Sequence, residues 1–503
     1  MSDRIRFFKS GTMLTAVALA MRTAAMLFGA FVTRTVGAEG TGLYTVIMTV
    51  YSFALTFATS GISLTVTRLV ASAIGEGRVE RVRRVFRSAL LYSLGFGLFA
   101  TALLFFGANF IGKFILNDER TVLSLKVLAF SLVPVSLGSV VGGYFVGVRR
   151  VGFNAASQVL GQMLKILVTV ILVVKLSEGG VESCVMALCL GITLTEILGF
   201  FIQLLCFAYD RYKYTYSAGK GRGSELSSVA KTALPLAFSA YVRAALLSLE
   251  HILIPKRLTD GGESSAEAYS NYGILHGMAL PVILYPMTPL SSFSGLLVPE
   301  FANDISAGKR DRMSRVASEA LGTTLLYASV CAVMLYSFSE ELGYAIYGSR
   351  DAGYYIRTLA PVVPIMYLDH VTDSMLKGIG EQVFSMWVNV SDSVLSIALV
   401  WLLIPKMGIL GYAVVIVVME GYNFLLSFFR LRKKISFRIN LFRSLAMPLA
   451  VSSFSVFVTN LLFSFSGRFV PVLWLSMKML FCLCLTVSLI ALLRLKPRET
   501  VKQ

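Results

Sequence analysis

Long runs of apolar residues alternate along the chain with short polar segments. A helix that crosses a lipid bilayer needs about 20 mostly apolar residues. Fourteen runs reach that length, at 11–33, 43–67, 86–107, 123–147, 154–175, 184–208, 232–254, 272–297, 316–338, 357–376, 382–404, 409–429, 444–464 and 471–493. The pattern predicts an all-α polytopic membrane protein with about fourteen transmembrane helices.

The composition excludes an ordinary soluble protein. Hydrophobic residues make up 56% of the 503 residues and charged residues 15%, against about 45–50% and about 25% in soluble domains. No polar segment between the runs is long enough for a soluble catalytic domain, which disfavours an enzyme. The sequence also has no His or Cys cluster at metal-ligand spacing, so we expect no metal site.

The basic residues indicate the orientation of the spans. If the N-terminus lies inside, 31 of the 46 Lys and Arg residues fall in inner segments, 10 in outer loops and five within spans. Such a bias follows the positive-inside rule with both termini in the cytoplasm. The net charge of +18 is then explained by topology, and we expect no nucleic-acid partner.

Two segments of the sequence repeat at one fixed offset. GEGRVERVRRVFRSAL at 75–90 aligns with SAGKRDRMSRVASEAL at 306–321, which pairs Arg81 with Arg312 and Arg84 with Arg315. Because each half holds an even number of spans, both halves have the same orientation in the membrane. The repeat predicts two six-helix lobes in parallel pseudo-twofold relation, at 1–230 and 231–430, followed by an extra helix pair and cytoplasmic tail at 431–503.

Two arginines lie in the middle of equivalent spans. Arg22 is the twelfth residue of span 1, and Arg243 is the twelfth residue of span 7. A charged group at this depth faces a cavity or a partner, and two guanidinium groups would suit a diphosphate. Alternatively, each arginine is neutralised by an acidic residue within or near the spans, for which the candidates are Glu196, Glu250, Asp392 and Glu420.

Acidic and proline residues suggest how such a transporter would be driven. Asp369 and Asp373 are four residues apart in span 10 and share a helix face. They could bind Na⁺ or H⁺, or they could only pack helices together or pair with the basic cleft, and Glu196 is a further candidate for ion coupling. Span 8 contains Pro281, Pro286 and Pro289, which break helical hydrogen bonds, so we predict that it bends as a gating helix.

Several short motifs carry a family resemblance. They are RTVGAEGTGLY at 34–44, GYFVG at 143–147, IPKRL at 254–258 and LVPE at 297–300. In order and spacing they resemble the polysaccharide transporters and lipid-linked oligosaccharide flippases of the superfamily that also contains multidrug and toxin extrusion pumps, above all the stage V sporulation protein B family, which is related to lipid II flippases.

The resemblance implies alternating access to a cationic cavity lined by spans 1, 2, 7 and 8. Arg22 matches a cavity arginine of the lipid II flippases, and Arg34, within the first motif, joins Arg22 and Arg243 as a candidate substrate-binding residue. Phe28 and Gly42 depart from the family pattern, because a second arginine and an aspartate are found there in lipid II flippases.

These observations predict a flippase of the bacterial cytoplasmic membrane. Its expected substrate is an undecaprenyl-diphosphate-linked saccharide, with the peptidoglycan precursor lipid II favoured, and its other expected partners are membrane lipids. We expect no cofactor apart from a coupling Na⁺ or H⁺. The alternative is a multidrug/cation antiporter of the same fold, which would need an acidic cavity.

Overall fold

The computed structural model describes residues 2–148, 150–176, 179–214, 224–463 and 471–495. In these residues the secondary structure is helical, without a β-strand. The first half contains α1 Ser2–Thr59, α2 Ile62–Gly75, α3 Val79–Phe110, α4 Arg120–Ala129, α5 Leu132–Gly147, α6 Val151–Leu176 and α7 Gly180–Tyr214. The remainder contains α8 Leu226–Asp260, α9 Ser265–Tyr272, α10 Leu280–Leu284, α11 Thr288–Ser306, α12 Arg310–Ser337, α13 Ser339–Tyr347, α14 Arg350–Leu359, α15 Val363–Gly378, α16 Gln382–Met407, α17 Ile409–Lys434, α18 Met447–Phe463 and α19 Pro471–Leu495.

The predicted fold class is confirmed, but the count of fourteen spans is not. Eleven of the described helical stretches are long and apolar enough to cross a membrane, or twelve if the bent α8 is included. Predicted span 2 and the greater part of predicted span 1 lie in one stretch of 57 residues, Leu19–Gly75, which is longer than one crossing requires. Predicted span 10 falls on α14 and α15, which are too short to qualify.

Two glycines interrupt the first long stretch. Gly37 has φ 80° and ψ 179° inside α1, so the helix is broken between 2–36 and 38–59. Gly61 (φ 66°) and Ser60 (φ 42°) then separate α1 from α2. This second break corrects the prediction of an uninterrupted helix at 43–67. The Ser60 hydroxyl is hydrogen-bonded to Tyr92 (2.9 Å) and Tyr241 (2.5 Å), which holds the irregular backbone in place.

The chain divides into two compact units. One unit consists of residues 35–273, and the other of 1–34 together with 274–503. The core of the 35–273 unit is built by apolar side chains of α2, α3, α5 and α8, among them Ile62, Phe86, Phe145 and Val229. The core of the 1–34/274–503 unit is built by α11, α12, α15 and α17, among them Phe301, Leu321, Val371 and Leu431.

The offset of the sequence repeat recurs in the structure. The offset is the one that separates 75–90 from 306–321. When the residue numbers of α5 and α6 are shifted by it, both ends of α5 coincide with those of α15, and both ends of α6 coincide with those of α16. Gly77 and Gly308, one offset apart, both have positive φ at a helix end, of 71° and 68°. A Cβ on Gly147 would lie 2.9 Å from Val70 Cβ, and one on Gly378 would lie 2.8 Å from Phe301 Cβ. Because these partners are also one offset apart, each half contains the same close helix packing.

Large apolar side chains on the outside of the helices fit a lipid environment. Phe106 is 79% exposed and Leu205 is 71% exposed. In water such a continuous apolar surface would be an aggregation site, whereas in a bilayer it is the surface that contacts acyl chains. The protein is therefore a multi-pass membrane protein.

Candidate functional site

The proline-rich span predicted to bend is an irregular helix. From α9 the chain continues through a π-helical segment, Gly273–Ala279, then α10, a 3₁₀ turn, Tyr285–Met287, and α11. Pro281 and Pro289 lie in the first turns of α10 and α11, and Pro286 lies in the 3₁₀ turn. Because proline has no N–H donor, it leaves an upstream carbonyl of a helix without its usual partner. The predicted gating role stays a prediction.

Hydroxyl groups satisfy three carbonyls of this irregular segment. The buried Tyr367 of α15 donates to the Ile283 carbonyl over 2.7 Å, and Tyr327 of α12 donates to the Pro286 carbonyl over 2.8 Å. Thr288 donates to the Tyr285 carbonyl over 2.7 Å. Polar backbone at membrane depth is tolerated where such partners satisfy it. Side-chain hydrogen bonds thus stabilise the bend.

Arg22 lies beside this bend in the same unit. The residue is half-buried, and its charge interacts electrostatically with Tyr367. The next residue, Thr23, is hydrogen-bonded to the Tyr285 hydroxyl over 2.7 Å. Within the described residues no Asp or Glu oxygen lies within 4.0 Å of Arg22. The acidic neutralisation considered from the sequence is therefore not found for Arg22 there.

The other two candidate arginines lie in different surroundings. Arg243 is an exposed residue of α8 in the 35–273 unit, where it also has no carboxylate partner among the described side chains. Arg34 donates from Nε to the Ile346 carbonyl over 2.9 Å and from a terminal nitrogen to the Ala345 carbonyl. These carbonyls are at the C-terminal end of α13, where a cation is favourable. The structure therefore gives Arg34 a capping contact.

Three acidic side chains, one each on α15, α16 and α17, interact electrostatically. Asp369 interacts electrostatically with Asp392, and Glu420 interacts with both. One carboxylate oxygen of Asp369 and one of Asp392 are buried without a hydrogen-bond partner. Asp369 also interacts with Asp373, Ser427 and Lys377, and Asp392 interacts with Asn423. Half-buried acids that interact in this way within a membrane are typical of proton or cation sites in transporters.

The remaining acidic candidates have partners. Asp373 forms an ion pair of 2.5 Å with Lys377 and accepts a hydrogen bond from Ser385. Glu196 lies in the 35–273 unit, where it interacts electrostatically with Lys165. In the described part of the chain, no group of three or more His, Cys, Asp or Glu side chains is arranged to hold a metal ion.

Gly42, one of the two departures from the family pattern, lies in a tight contact. A Cβ at this position would be 1.8 Å from the Tyr269 carbonyl oxygen. Gly273 makes the reciprocal approach, since a Cβ there would be 2.3 Å from the Ala38 carbonyl oxygen. Position 42 therefore has no room for an aspartate, and the departure is a consequence of helix packing.

Sequence reasoning missed two parts of the site. Tyr327 and Tyr367 satisfy carbonyls that are 41 and 84 residues away in sequence, and no linear pattern marks such a pairing. Asp392 and Glu420 were considered as partners for the arginines, whereas the structure groups them with Asp369. Their positions on two adjacent membrane helices were the signal that pointed to a role within the membrane.

Comparison with known proteins identifies the family. The family model described as "Polysaccharide biosynthesis protein" matches residues 7–303, and the model described as "MatE" matches residues 276–402. The chain is 24% identical over 420 residues to stage V sporulation protein B of Bacillus subtilis, covering 82% of this chain and 80% of that protein. It is 23% identical over 386 residues to the lipid II flippase MurJ of the same species, covering 70% and 68%.

Solved structures show the same fold. The inward closed conformation of the lipid II flippase MurJ matches with a TM-score of 0.73 at 15% identity, covering 96% of this chain and 98% of that one. The inward-facing conformation of a multidrug resistance MATE family transporter of the MOP superfamily matches with a TM-score of 0.67 at 14% identity, covering 84% and 98%. The resemblance read from the motifs is confirmed, as is the expectation of a transporter rather than an enzyme. The chain belongs to the polysaccharide biosynthesis protein family.

Proposed function

We propose that the protein flips an undecaprenyl-diphosphate-linked saccharide across the bacterial cytoplasmic membrane by alternating access, with lipid II favoured. Arg22 carries the proposal, because it is a half-buried residue at the predicted membrane midplane with no carboxylate partner in the described residues. A cation in this position needs an anionic ligand or water to stabilise it. A diphosphate provides several acceptor oxygens in the geometry that guanidinium groups recognise.

Arg243 provides the second positive charge in the proposed site. It lies in the span equivalent to that of Arg22, and it is exposed, so its charge is available to a ligand. In the same unit, an open cavity of about 500 Å³ is lined by Arg68 and Lys231. These basic groups add positive charge to the unit that carries Arg243 and would attract an anionic headgroup. Arg34 is a weaker candidate for substrate binding, because its guanidinium donors already bind carbonyls at the end of α13.

We assign ion coupling to the acidic group of Asp369, Asp392 and Glu420, with Asp373 at its edge. Neutralisation by Na⁺ or H⁺ would remove repulsion between these carboxylates and so favour one packing of α15 against α16 and α17. Asp369 lies two residues after Tyr367, whose hydroxyl supports the irregular segment. A change in the charge of the acids could therefore reach the predicted gating helix, with Pro281, Pro286 and Pro289, through the contact of Tyr367.

The proposed orientation has both termini in the cytoplasm, because the excess of basic residues then lies inside. The pseudo-repeat is proposed to form two lobes, 1–230 and 231–430, with the pair α18 and α19 outside it. The lipid tail would remain in the bilayer while the diphosphate and sugar pass between the two lobes.

Flipping in proteoliposomes tests the proposal. We expect the wild-type protein to move fluorescent lipid II between leaflets, and Arg22→Ala or Arg243→Ala to lose this activity while still inserting. Arg87→Ala is the control, because Arg87 is exposed on α3 and makes no ion pair in the described part of the chain. Normal flipping by both variants would refute the assignment of these arginines.

The second candidate function is a multidrug/cation antiporter. The acidic group of Asp369, Asp392 and Glu420 favours it, because a cationic drug needs a carboxylate-lined site. The MatE match at 276–402 includes two of these residues. The antiporter would be favoured by two results together. The protein would export a cationic dye and lose this activity in Asp369→Asn, and it would not flip lipid II.

A further inference from the structure

A second basic cavity lies on the 1–34/274–503 unit, outside the proposed substrate site. It forms where the first turns of α12 meet the end of α17 and the segment that follows it. Its volume is about 540 Å³, and it is partly open to the surface. The polar residues that line it are Ser314, Arg315, Ser318, Glu319, Arg432, Ser436 and Arg438.

Three arginines of this cavity have no acidic partner. Arg315, Arg432 and Arg438 are exposed, and within the described residues no carboxylate oxygen lies within 4.0 Å of their guanidinium groups. Glu319 is the one acidic residue in the lining, so the cavity has a net positive charge. Three guanidinium groups around one opening repel each other unless an anion or water screens them.

Neighbouring cations behave differently. Arg430 and Lys434 both pair with Glu381, at 2.7 and 2.6 Å. Arg312 pairs with Glu300 and with the buried Asp304, both at 2.7 Å. The basic residues that hold helix ends together therefore have their carboxylates. The three cavity arginines are left available for a ligand.

The wall of the cavity is fixed by its own hydrogen bonds. After α17 the side chains alternate, with Ile435 and Phe437 buried in the core and Ser436 and Arg438 exposed. The Ser314 hydroxyl donates to the Ser436 carbonyl, and the Arg438 backbone N–H donates to the Ser318 hydroxyl over 3.1 Å. The backbone of Arg438 is thereby held against α12, close to Arg315.

The cavity opens at a membrane boundary. α12 begins beside it and α17 ends beside it, and both qualify as membrane spans. A further candidate span, Phe442–Phe463, begins four residues after Arg438. At its start Leu441 is 62% exposed and Phe442 is 70% exposed. Apolar side chains next to arginines at a span end are typical of the region where lipid headgroups meet acyl chains.

The geometry points to a binding site for the phosphate group of an anionic membrane phospholipid. Arg315, Arg432 and Arg438 bind the phosphate oxygens, Ser318 lies in the same wall, and the acyl chains lie along Leu441 and Phe442. Basic pockets between membrane helices are suited to anionic headgroups, and guanidinium groups bind phosphate in paired hydrogen bonds. The site is independent of the proposed substrate and does not require the protein to be a flippase.

Lipid binding to the full-length protein in a neutral detergent tests the site. The probe is short-chain phosphatidylglycerol, with phosphatidylcholine as the zwitterionic comparison, and the dissociation constant is measured by thermophoresis. We expect the wild-type protein to bind phosphatidylglycerol at least about tenfold more tightly than phosphatidylcholine. Arg315→Gln/Arg432→Gln/Arg438→Gln should lose that preference.

The matched control removes the same number of charges elsewhere. Arg83→Gln/Arg87→Gln/Lys406→Gln should keep the preference within about twofold, because these residues lie outside the cavity. An equal loss in both triple variants would overturn the proposal in favour of non-specific attraction. Inorganic phosphate should not displace the lipid at equal concentration, and displacement would overturn the lipid as the ligand.

A gain-of-affinity variant separates the site from misfolding. Glu319→Gln removes the one carboxylate of the lining, so it should tighten phosphatidylglycerol binding by about two- to fivefold. A misfolded protein would not bind more tightly. Unchanged or weaker binding by a monodisperse Glu319→Gln protein would contradict the placement of the phosphate in this cavity.

Discussion

The hydroxyl contacts of Tyr367 and Tyr327 predict how much the irregular segment contributes to stability. In Tyr367→Phe the ring remains, but the Ile283 carbonyl loses a donor at 2.7 Å in a fully buried place. An unsatisfied buried polar group costs about 1–3 kcal/mol, whereas hydrogen bonds between membrane helices contribute at most about 1.7 kcal/mol. We therefore expect Tyr367→Phe to lower the free energy of unfolding by about 1–2 kcal/mol.

Denaturant titration in mixed micelles measures this loss. Tyr327→Phe, which frees the Pro286 carbonyl, should cost a similar amount. Tyr347→Phe is the matched control, because Tyr347 is buried but makes no side-chain hydrogen bond among the described residues. A change below about 0.3 kcal/mol in both test variants, or an equal loss in the control, would refute the role of these hydroxyl groups.

The remaining predictions concern the repeat, the pH response and the orientation. Gly147→Ala and Gly378→Ala should each destabilise the protein by about 1–3 kcal/mol through the close contacts at 2.9 and 2.8 Å. Gly421→Ala, with nothing within 4 Å of the added Cβ, should be neutral or stabilising by up to about 1 kcal/mol in the same unfolding titration. Lys434 and Arg430 lower the pKa of Glu381 in the folded protein. The ion pairs of Glu381 therefore stabilise the protein above the pKa that Glu381 has in the unfolded chain, and this stabilisation is lost as the pH falls through its pKa in the folded protein. The acid side of the stability profile should be flatter in Glu381→Gln. Lys433→Cys should react with an impermeant thiol reagent only in inverted vesicles and Lys406→Cys only in intact cells, and the opposite result would reverse the proposed orientation.

The apolar runs predicted most of the helices, because a bilayer demands about 20 apolar residues for every crossing. The internal repeat was also visible, since charged positions such as Arg81 and Arg312 stand out in a loop. The break at Ser60 and Gly61 could not be predicted from the sequence, because it depends on hydroxyl contacts with Tyr92 and Tyr241. Length and composition alone also could not show that α14 and α15 replace one straight span.

The candidate site was only partly predictable for the same reason. A charge inside an apolar run marks Arg22 and Asp369 from the sequence alone, because burying it is costly. Which groups neighbour that charge depends on tertiary packing. Asp392 and Glu420 approach Asp369 from two other helices, and Arg34 binds the carbonyls at the end of α13.

The most direct test of the account is a double-mutant cycle on ligand binding. The dissociation constant of undecaprenyl diphosphate is measured for the wild type, Arg22→Gln, Arg243→Gln and the double variant. If both guanidinium groups hold one diphosphate, each single change should weaken binding at least about tenfold, with a coupling energy of about 0.5–3 kcal/mol in the cycle. Binding that is unchanged in either single variant, or strictly additive losses, would contradict the claim that the two arginines share one ligand.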